Sequence, residues 1–519
     1  MDADARRDAR TGQDAELSPE ASFDASAGPV LTSLSVSPLT LTPAFSPSTH
    51  DYYVRCATGA NALTVSMTAS PGAVVGITAP SSAASSGKAE VMLSLDANAA
   101  LVATASGGGG GDAGVSSAYW VRCLPPDFPT LTMTTREDVP APAPGYYLVG
   151  NGVPAALENG YAIVLDGNGV PVWYEATSTQ AGAMGVDSLM PNQISFVPYL
   201  LNQFGPASGS YVVQALSPFT STLVTGVQAP LDMHDFRELP NGDYLLLSWP
   251  IVVGVDLTGL GAFGKGWDII DCKIQEVSPT GESVWTWDAM DHFDPAQDCT
   301  VPLTMPVLAT PGTDAGAVDA ALADGGENVT VVDPFHCNSI DVATNGDLLV
   351  SARNMDSVFM VSKATGAIEW KMGGVAYNKD SAPLLTVTGD ALNGFYRQHD
   401  ARLQGSGMLS VFDDKTSMSA TARGLLVSYD VAAGTASVVW QYSGAAASIS
   451  MGSMRIFSDG TRLIGWGQSF SMNPVFTEVT ETGVAIRDFN FPSGSASYRA
   501  IKVPPSELDL DLMRQTAGQ

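Results

Sequence analysis

Basic residues are scarce. Across 519 residues the chain sets 24 Lys and Arg against 53 Asp and Glu, a formal net charge of −29 at pH 7. Such a surface repels a polyanion rather than releasing its counterions, which excludes nucleic acid as a partner. An anionic small substrate must instead find a locally basic pocket, its approach eased by screening beyond about 8 Å at physiological salt. Long apolar runs are missing too: none reaches the roughly 18 residues that a membrane-spanning helix needs. Cysteine and histidine number five each, so the company each keeps is informative.

Glycine and proline are plentiful, at 52 and 33. Turn clusters alternate with short segments rich in Val, Thr, Tyr and Leu, which predicts an all-β protein. At this length one ordinary compact core is excluded, and a closed repeat such as a propeller is the alternative.

Residues 1–28 are polar and small, lacking the apolar segment of a signal peptide. They resemble the disordered tether that follows the lipid-modified cysteine of bacterial surface lipoproteins. The expectation is that Met1 lies inside a longer precursor carrying a hydrophobic leader. Residues 29–124 are expected to form a small β-sandwich of about seven strands. Its opening, LTSLSVSPLTLTPAFSPSTHDYY, resembles the bacterial cadherin-like family, usually an accessory module. SGGGGGDAG (106–114) reads as a long hairpin loop within it. Two phrases, DYYVRC and AYWVRC, end at Cys56 and Cys123. Both read as strands, and a bridge between them would staple the module and imply an oxidising compartment. Cys272 and Cys299 form the second candidate pair, leaving Cys337 odd.

From residue 128 to 505 a unit recurs: a strand, an Asn-Gly or Asp-Gly turn, two more strands, a Thr-Gly turn, and a strand bearing Trp. HDFRELPNGDYLLLSW leads to IQEVSPTGESVWTW, and HCNSIDVATNGDLLVSA leads to FMVSKATGAIEWKM. HDARLQGSGMLSVF and MRIFSDGTRLIGW begin two further copies, and two looser ones precede them. Four antiparallel strands repeating in this way predict propeller blades. The count is six, with five or seven left open by the loosely patterned second copy. The repeat's Trp residues are expected to pack between blades. Residues 506–519 read as a C-terminal tail.

His234, His336 and His399 each stand at the entry to the first strand of a copy, so the repeat brings them to one funnel mouth. His50 and His292 share no such register and read as structural. Three histidines match the ligand set of a catalytic zinc site. With Arg353, at the end of the second strand of the His336 copy, they make an oxyanion cradle instead. The guanidinium favours the second reading: it would weaken metal binding but hold a sulfate or phosphate, and it lowers the histidine pKa values. A neutral imidazole is then available as nucleophile.

The phrases HCNSIDVATNGDLLVSARNMDS and QHDARLQGSGMLSVFDD resemble the bacterial arylsulfate sulfotransferase family, with the likeness covering most of residues 140–500. The resemblance implies a six-bladed propeller that moves a sulfuryl group from a phenolic sulfate donor to a phenolic acceptor. It implies no cofactor and no nucleotide sulfate donor. By the same resemblance His399 is the transiently sulfated residue, His234 and His336 bind sulfate and supply a proton to the leaving aryl oxide, Arg353 anchors the sulfuryl oxygens, and Asn338 contacts substrate. Periplasmic members of the family carry a short-range disulfide near the site, for which this sequence shows no clear equivalent. The expected location is the periplasm or cell surface, with a lipid tether and a homodimer both compatible. A non-catalytic anion- or partner-binding propeller and a metal-dependent hydrolase are the rival readings.

Overall fold

The computed structural model describes residues 28–519 apart from 81–84, 108–115, 153–158, 180, 201–209, 230, 308–328, 376–378, 380, 406, 470–471 and 493. The expected tether (residues 1–28), save Gly28, and most of the SGGGGGDAG loop lie outside the described residues. The described chain is built almost wholly from strands, and none of its helices is long and apolar enough to cross a membrane.

The chain divides into two compact units. The smaller draws on 1–50, 62–94 and 100–121, so residues 51–61 and 95–99 group with the larger unit instead of with the segment 29–124. In the smaller unit Leu31–Ser37, Ala60–Ala69 and Lys88–Asp96 make one sheet, while Ala73–Ala79, Ala100–Gly107 and Ser116–Leu124 lie in another. His50 is structural there: its Nδ1 bonds to the Ala118 carbonyl and its ring stacks on Tyr119.

In the larger unit, sets of four antiparallel strands follow one another along the chain, and Leu384–Thr388 joins the His336 and His399 sets by parallel pairing into one nine-stranded sheet. The His234 sheet runs Leu231–Glu238, Tyr244–Ser248, Lys273–Val277, Ser283–Asp288; the His336 sheet runs Cys337–Val342, Leu348–Ala352, Ser357–Val361, Ile368–Gly373. The His399 sheet runs His399–Leu403, Met408–Asp413, Arg423–Asp430, Thr435–Ser443. The Asn-Gly turns recur in detail. Leu239 N–H bonds to the Asp243 carbonyl, and Ala343 N–H bonds likewise to that of Asp347. Gly242 (φ 86°) and Gly346 (φ 92°) supply the left-handed residue each turn requires.

The first strand of each sheet touches the first strand of the next, and the ring closes twice. Ala500–Val503, near the C-terminus, pairs with Tyr146–Asn151; Thr132–Thr135 pairs with Ala485–Asn490. The architecture is all-β and propeller-like. Apolar clusters fill the spaces between neighbouring sheets, and Trp287 of the His234 sheet donates to the Gly366 carbonyl of the next. His292 stacks on that same indole at 5.1 Å. The segment read as a tail carries a helix, Leu510–Thr516, capped by Asp509, with Met513 buried.

Segments inserted within the His234 sheet and after it form a further sheet: Ile251–Val255, Trp267–Ile270, Val329–Asp333 and Leu303–Val307. It has no counterpart in the sequence repeat.

Candidate functional site

His234 and His399 sit where their strands depart from regular pairing, and His336 directly precedes such a departure. The ladder shifts register between Leu231 and Phe236, between Cys337 and Ser339, and between His399 and Arg402. Such irregularities re-aim side chains out of the strand's alternation. His336 (φ 52°) and, beside His399, Arg397 (φ 56°) and Asp400 (φ 55°) adopt left-handed backbone that non-glycine residues seldom take. Local conformational cost of this kind gathers at functional sites.

The outcome is convergence. His234, His336, His399 and Arg353 line one cavity of about 360 Å³. The rings of His234 and His336 lie 4.7 Å apart edge to face, and those of His234 and His399 lie 6.5 Å apart. All four side chains are buried. Arg353 follows the strand Leu348–Ala352 directly. It donates to Asn354 Oδ1 and to the Ile449 carbonyl, which leaves its buried Nε without a partner among the described residues. Asn338, expected to contact substrate, is buried away from the cavity lining, its Nδ2 donating to the Gln398 carbonyl beside His399.

Three aspartates that the sequence reading missed complete the arrangement. His234 Nδ1 lies 2.5 Å from Asp232, His399 Nδ1 lies 2.5 Å from Asp414, and His336 Nδ1 pairs with Asp333. A carboxylate at Nδ1 fixes ring orientation and leaves Nε2 for chemistry. At His399 the tautomer follows from the second nitrogen: the backbone N–H of Met451 donates to Nε2 at 3.3 Å, so Nε2 carries the lone pair and Nδ1 the proton. Burial, with Arg353 and the other two histidines nearby, drives the His399 pKa well below its ordinary value. Burial also lowers that of His336, against the pull of Asp333.

Beneath the histidines the ring centre is filled by charge. Asp235, next to His234, accepts from Arg402 and Arg499; Asp400, next to His399, accepts from Arg402 and Arg455. Burial alone would raise the Asp235 pKa, but the two guanidiniums hold it well below the carboxylate range. This network locks the strands that carry the histidines.

Of the remaining walls, Met233, Val301, Leu303, Met305, Ile449 and Met451 are apolar, and Arg397, Thr416, Ser417, Ser450 and Gln468 add polar groups. Leu303 and Met305 come from the additional sheet. Such a surface suits an aromatic ring, with thioethers well matched to its edge. Among the described residues, no group of three or more His, Cys, Asp or Glu side chains stands at metal-binding spacing.

The cysteines require a correction. Cys56 is joined to Cys123, but Cys272 is joined to Cys337 and not to Cys299, which stays a buried thiol. Nearness in sequence favoured Cys299. The ring instead packs the apolar faces of successive sheets together and sets Cys272 and Cys337 5.8 Å apart at Cα. A disulfide does therefore adjoin the site, directly after His336.

An all-β ring with a histidine and arginine cradle on its axis defines the class. Residues 210–488 match the arylsulfotransferase family model, and because the match spans more than half of the chain, the protein belongs to that family. None of the curated proteins matches it. Among solved structures it is similar to a Bacteroides caccae protein of unknown function (11% identity, 70% of this chain and 99% of that one, TM-score 0.40). It is similar too to the periplasmic gluconolactonase of Pseudomonas aeruginosa (12%, 70% and 99%, TM-score 0.36) and to a catalytically inactive virginiamycin B lyase of Staphylococcus aureus (8%, 69% and 88%, TM-score 0.33). Similarity of this degree carries no functional argument.

Proposed function

We propose that the protein is an exported six-bladed propeller with an N-terminal cadherin-like sandwich. It transfers a sulfuryl group from a phenolic sulfate ester to a phenol through a sulfated His399. The observation that carries this reading is the setting of His399: buried on the same cavity as Arg353, with Nδ1 held by Asp414 and Nε2 on the opposite side of the ring, where it accepts from Met451 N–H. The two disulfides support an oxidising compartment such as the periplasm or cell surface.

In the first half-reaction Nε2 of His399 attacks sulfur in line. The N–S bond forms as the S–O(aryl) bond breaks, and its electron pair leaves on the phenolic oxygen. That oxygen takes a proton from Nε2–H of a site histidine, assigned to His234, whose Nδ1 is held by Asp232. Arg353 and the histidines hold the sulfuryl oxygens, so positioning and charge do most of the work. In the second half-reaction an acceptor phenol returns its proton to that histidine, its oxygen attacks sulfur, and the N–S pair goes back to Nε2. A phenol, with a pKa of about 10, needs less acid assistance than an alkyl alcohol. The nearby guanidinium counts against a zinc site.

Incubation with 4-nitrophenyl sulfate, with and without phenol, tests the reading. Nitrophenolate release that depends on phenol is the expected result. Release without acceptor would mean a hydrolase, chelator-sensitive release a metal enzyme, and no release a binding propeller.

A further inference from the structure

Arg353 and His399 belong to successive sets of strands, and two buried side chains clasp the turn that carries the first to the segment that leads into the second. Asp356, in the phrase RNMDS, closes the Arg353 turn: its N–H bonds to the Arg353 carbonyl, and its backbone is left-handed (φ 51°). Its carboxylate is buried and reaches across to the other segment. Oδ1 accepts the Arg397 backbone N–H at 2.7 Å, and Oδ1 and Oδ2 accept from Arg397 Nη1 at 3.1 and 3.0 Å. Thr300 Oγ1 donates to Oδ2 at 2.7 Å. Gln398 grips the same turn a second time. Its Nε2 donates to the carbonyl of Ala352, directly before Arg353, at 3.2 Å, and to that of Ser357, directly after Asp356, at 2.9 Å. Both residues that precede His399 are therefore tied to the Arg353 turn, and the Arg397 carbonyl in turn lies 3.2 Å from His399 Nδ1.

Resting on the reading of the site as a sulfuryl-transfer centre, we infer that Asp356 is a positioning residue for the reaction, with Gln398 as its second grip. Together they set the His399 imidazole against the Arg353 guanidinium, so that a group held by the one lies in line with the lone pair of the other. Neither side chain lines the catalytic cavity, so neither acts on substrate directly. A buried ion pair is by itself weak evidence for stability. This one joins two non-glycine residues in left-handed backbone, Asp356 and Arg397, and such conformations persist where the surroundings over-determine them. Alignment is the quantity at stake, because a displacement of about 1 Å costs on the order of 10²-fold in rate.

The test is Asp356→Asn, which keeps the shape, suits a left-handed backbone and removes the ion pair to Arg397. Three quantities are read well below the melting point: the single-turnover rate of aryl oxide release, inorganic sulfate binding by calorimetry, and the Nδ1–H resonance of His399 in protein labelled at its five histidines. The release rate should fall about tenfold to hundredfold, equally for every donor whatever its leaving-group pKa, while sulfate binding barely changes. The His399 resonance should shift and that of His50 stay in place. Gln398→Met, which deletes the second grip and leaves Asp356 intact, should give the same pattern and keeps the test decisive if Asp356→Asn does not fold. A variant that melts lower yet releases aryl oxide at the wild-type rate would overturn the inference, leaving the clasp merely structural. Sulfate binding weakened by the same factor as the rate would overturn it too, since the defect would then lie in holding the anion. The resonance needs no turnover. An inactive wild-type protein would count against the transfer reading, whereas an unmoved His399 resonance would count against this one.

Discussion

Nδ1 of His399 stands 2.5 Å from a carboxylate oxygen of Asp414, fifteen residues further along the chain. The pair crosses the first hairpin of its sheet: His399 opens one strand, and Asp414 follows the other, Met408–Asp413. The contact decides which nitrogen of the imidazole faces the cavity, and much of the chemistry follows from it.

Replacing Asp414 by Asn keeps the shape but offers an amide that can donate to Nδ1 and so favours the wrong tautomer. The rate of aryl oxide release should fall on the order of 10³- to 10⁴-fold, as for the equivalent change in a histidine–aspartate hydrolase. The same substitution at Asp232 should cost less with 4-nitrophenyl sulfate and more with donors whose phenols have higher pKa values, if His234 supplies the leaving-group proton. Single-turnover rates across a donor series check both.

The pH profile follows from the depressed His399 pKa, caused by burial and then by Arg353. The nucleophile stays neutral below the ordinary value of about 6.5, so the acid limb of kcat/KM should lie below that pH. In Arg353→Gln a cation is gone, protonation becomes easier, and the limb should move to higher pH while donor use weakens strongly. Stability carries the same sign. With its folded pKa depressed, His399 takes up its proton more readily in the unfolded chain, so stability should fall as pH drops through about 6.5. Rate profiles and thermal melts measured side by side test both statements.

Cys337 directly follows His336 and is bonded to Cys272 across a separation of 65 residues. Closing a loop of that size stabilises by roughly 4 kcal/mol in the chain-entropy account. The double substitution Cys272→Ala with Cys337→Ala should lower the melting temperature. It should also reduce activity at temperatures where the protein remains folded, because His336 loses a covalent neighbour. Activity measured well below the new melting point separates the two effects.

Leu303 is 37% exposed at the cavity rim, on the sheet that the repeat does not predict. Leu303→Asp should raise KM for aryl donors and aryl acceptors alike, by roughly tenfold from lost apolar burial. Inhibition by inorganic sulfate should hardly change, since sulfate does not use that wall.

Much of this was legible in the residues. Hairpins with Gly at left-handed turns gave away the repeat, and the register of His234, His336 and His399 gave away the convergence. The aspartates were only half visible. Asp232 and Asp333 precede their histidines by two and three residues, a recurring signal in LDMHDF and VDPFHC that went unread. At the third histidine the position two before is Arg397, and the carboxylate arrives from Asp414 in VFDDK, which reads as a polar turn. Asn338 was assigned by likeness of phrase; its Nδ2 donates to the Gln398 carbonyl, while its buried Oδ1 has no partner among the described residues. The Cys272–Cys337 pair and the apolar wall depend on how neighbouring sheets and an added sheet pack. A pattern internal to each repeat carries no trace of that.

The most direct measurement is peptide-level mass analysis of protein mixed with 4-nitrophenyl sulfate in the absence of acceptor. The account predicts one added sulfuryl group on the peptide containing His399, lost when phenol is supplied and never formed in His399→Asn. A label on another residue, or a His399→Asn protein that still transfers sulfate, would contradict it.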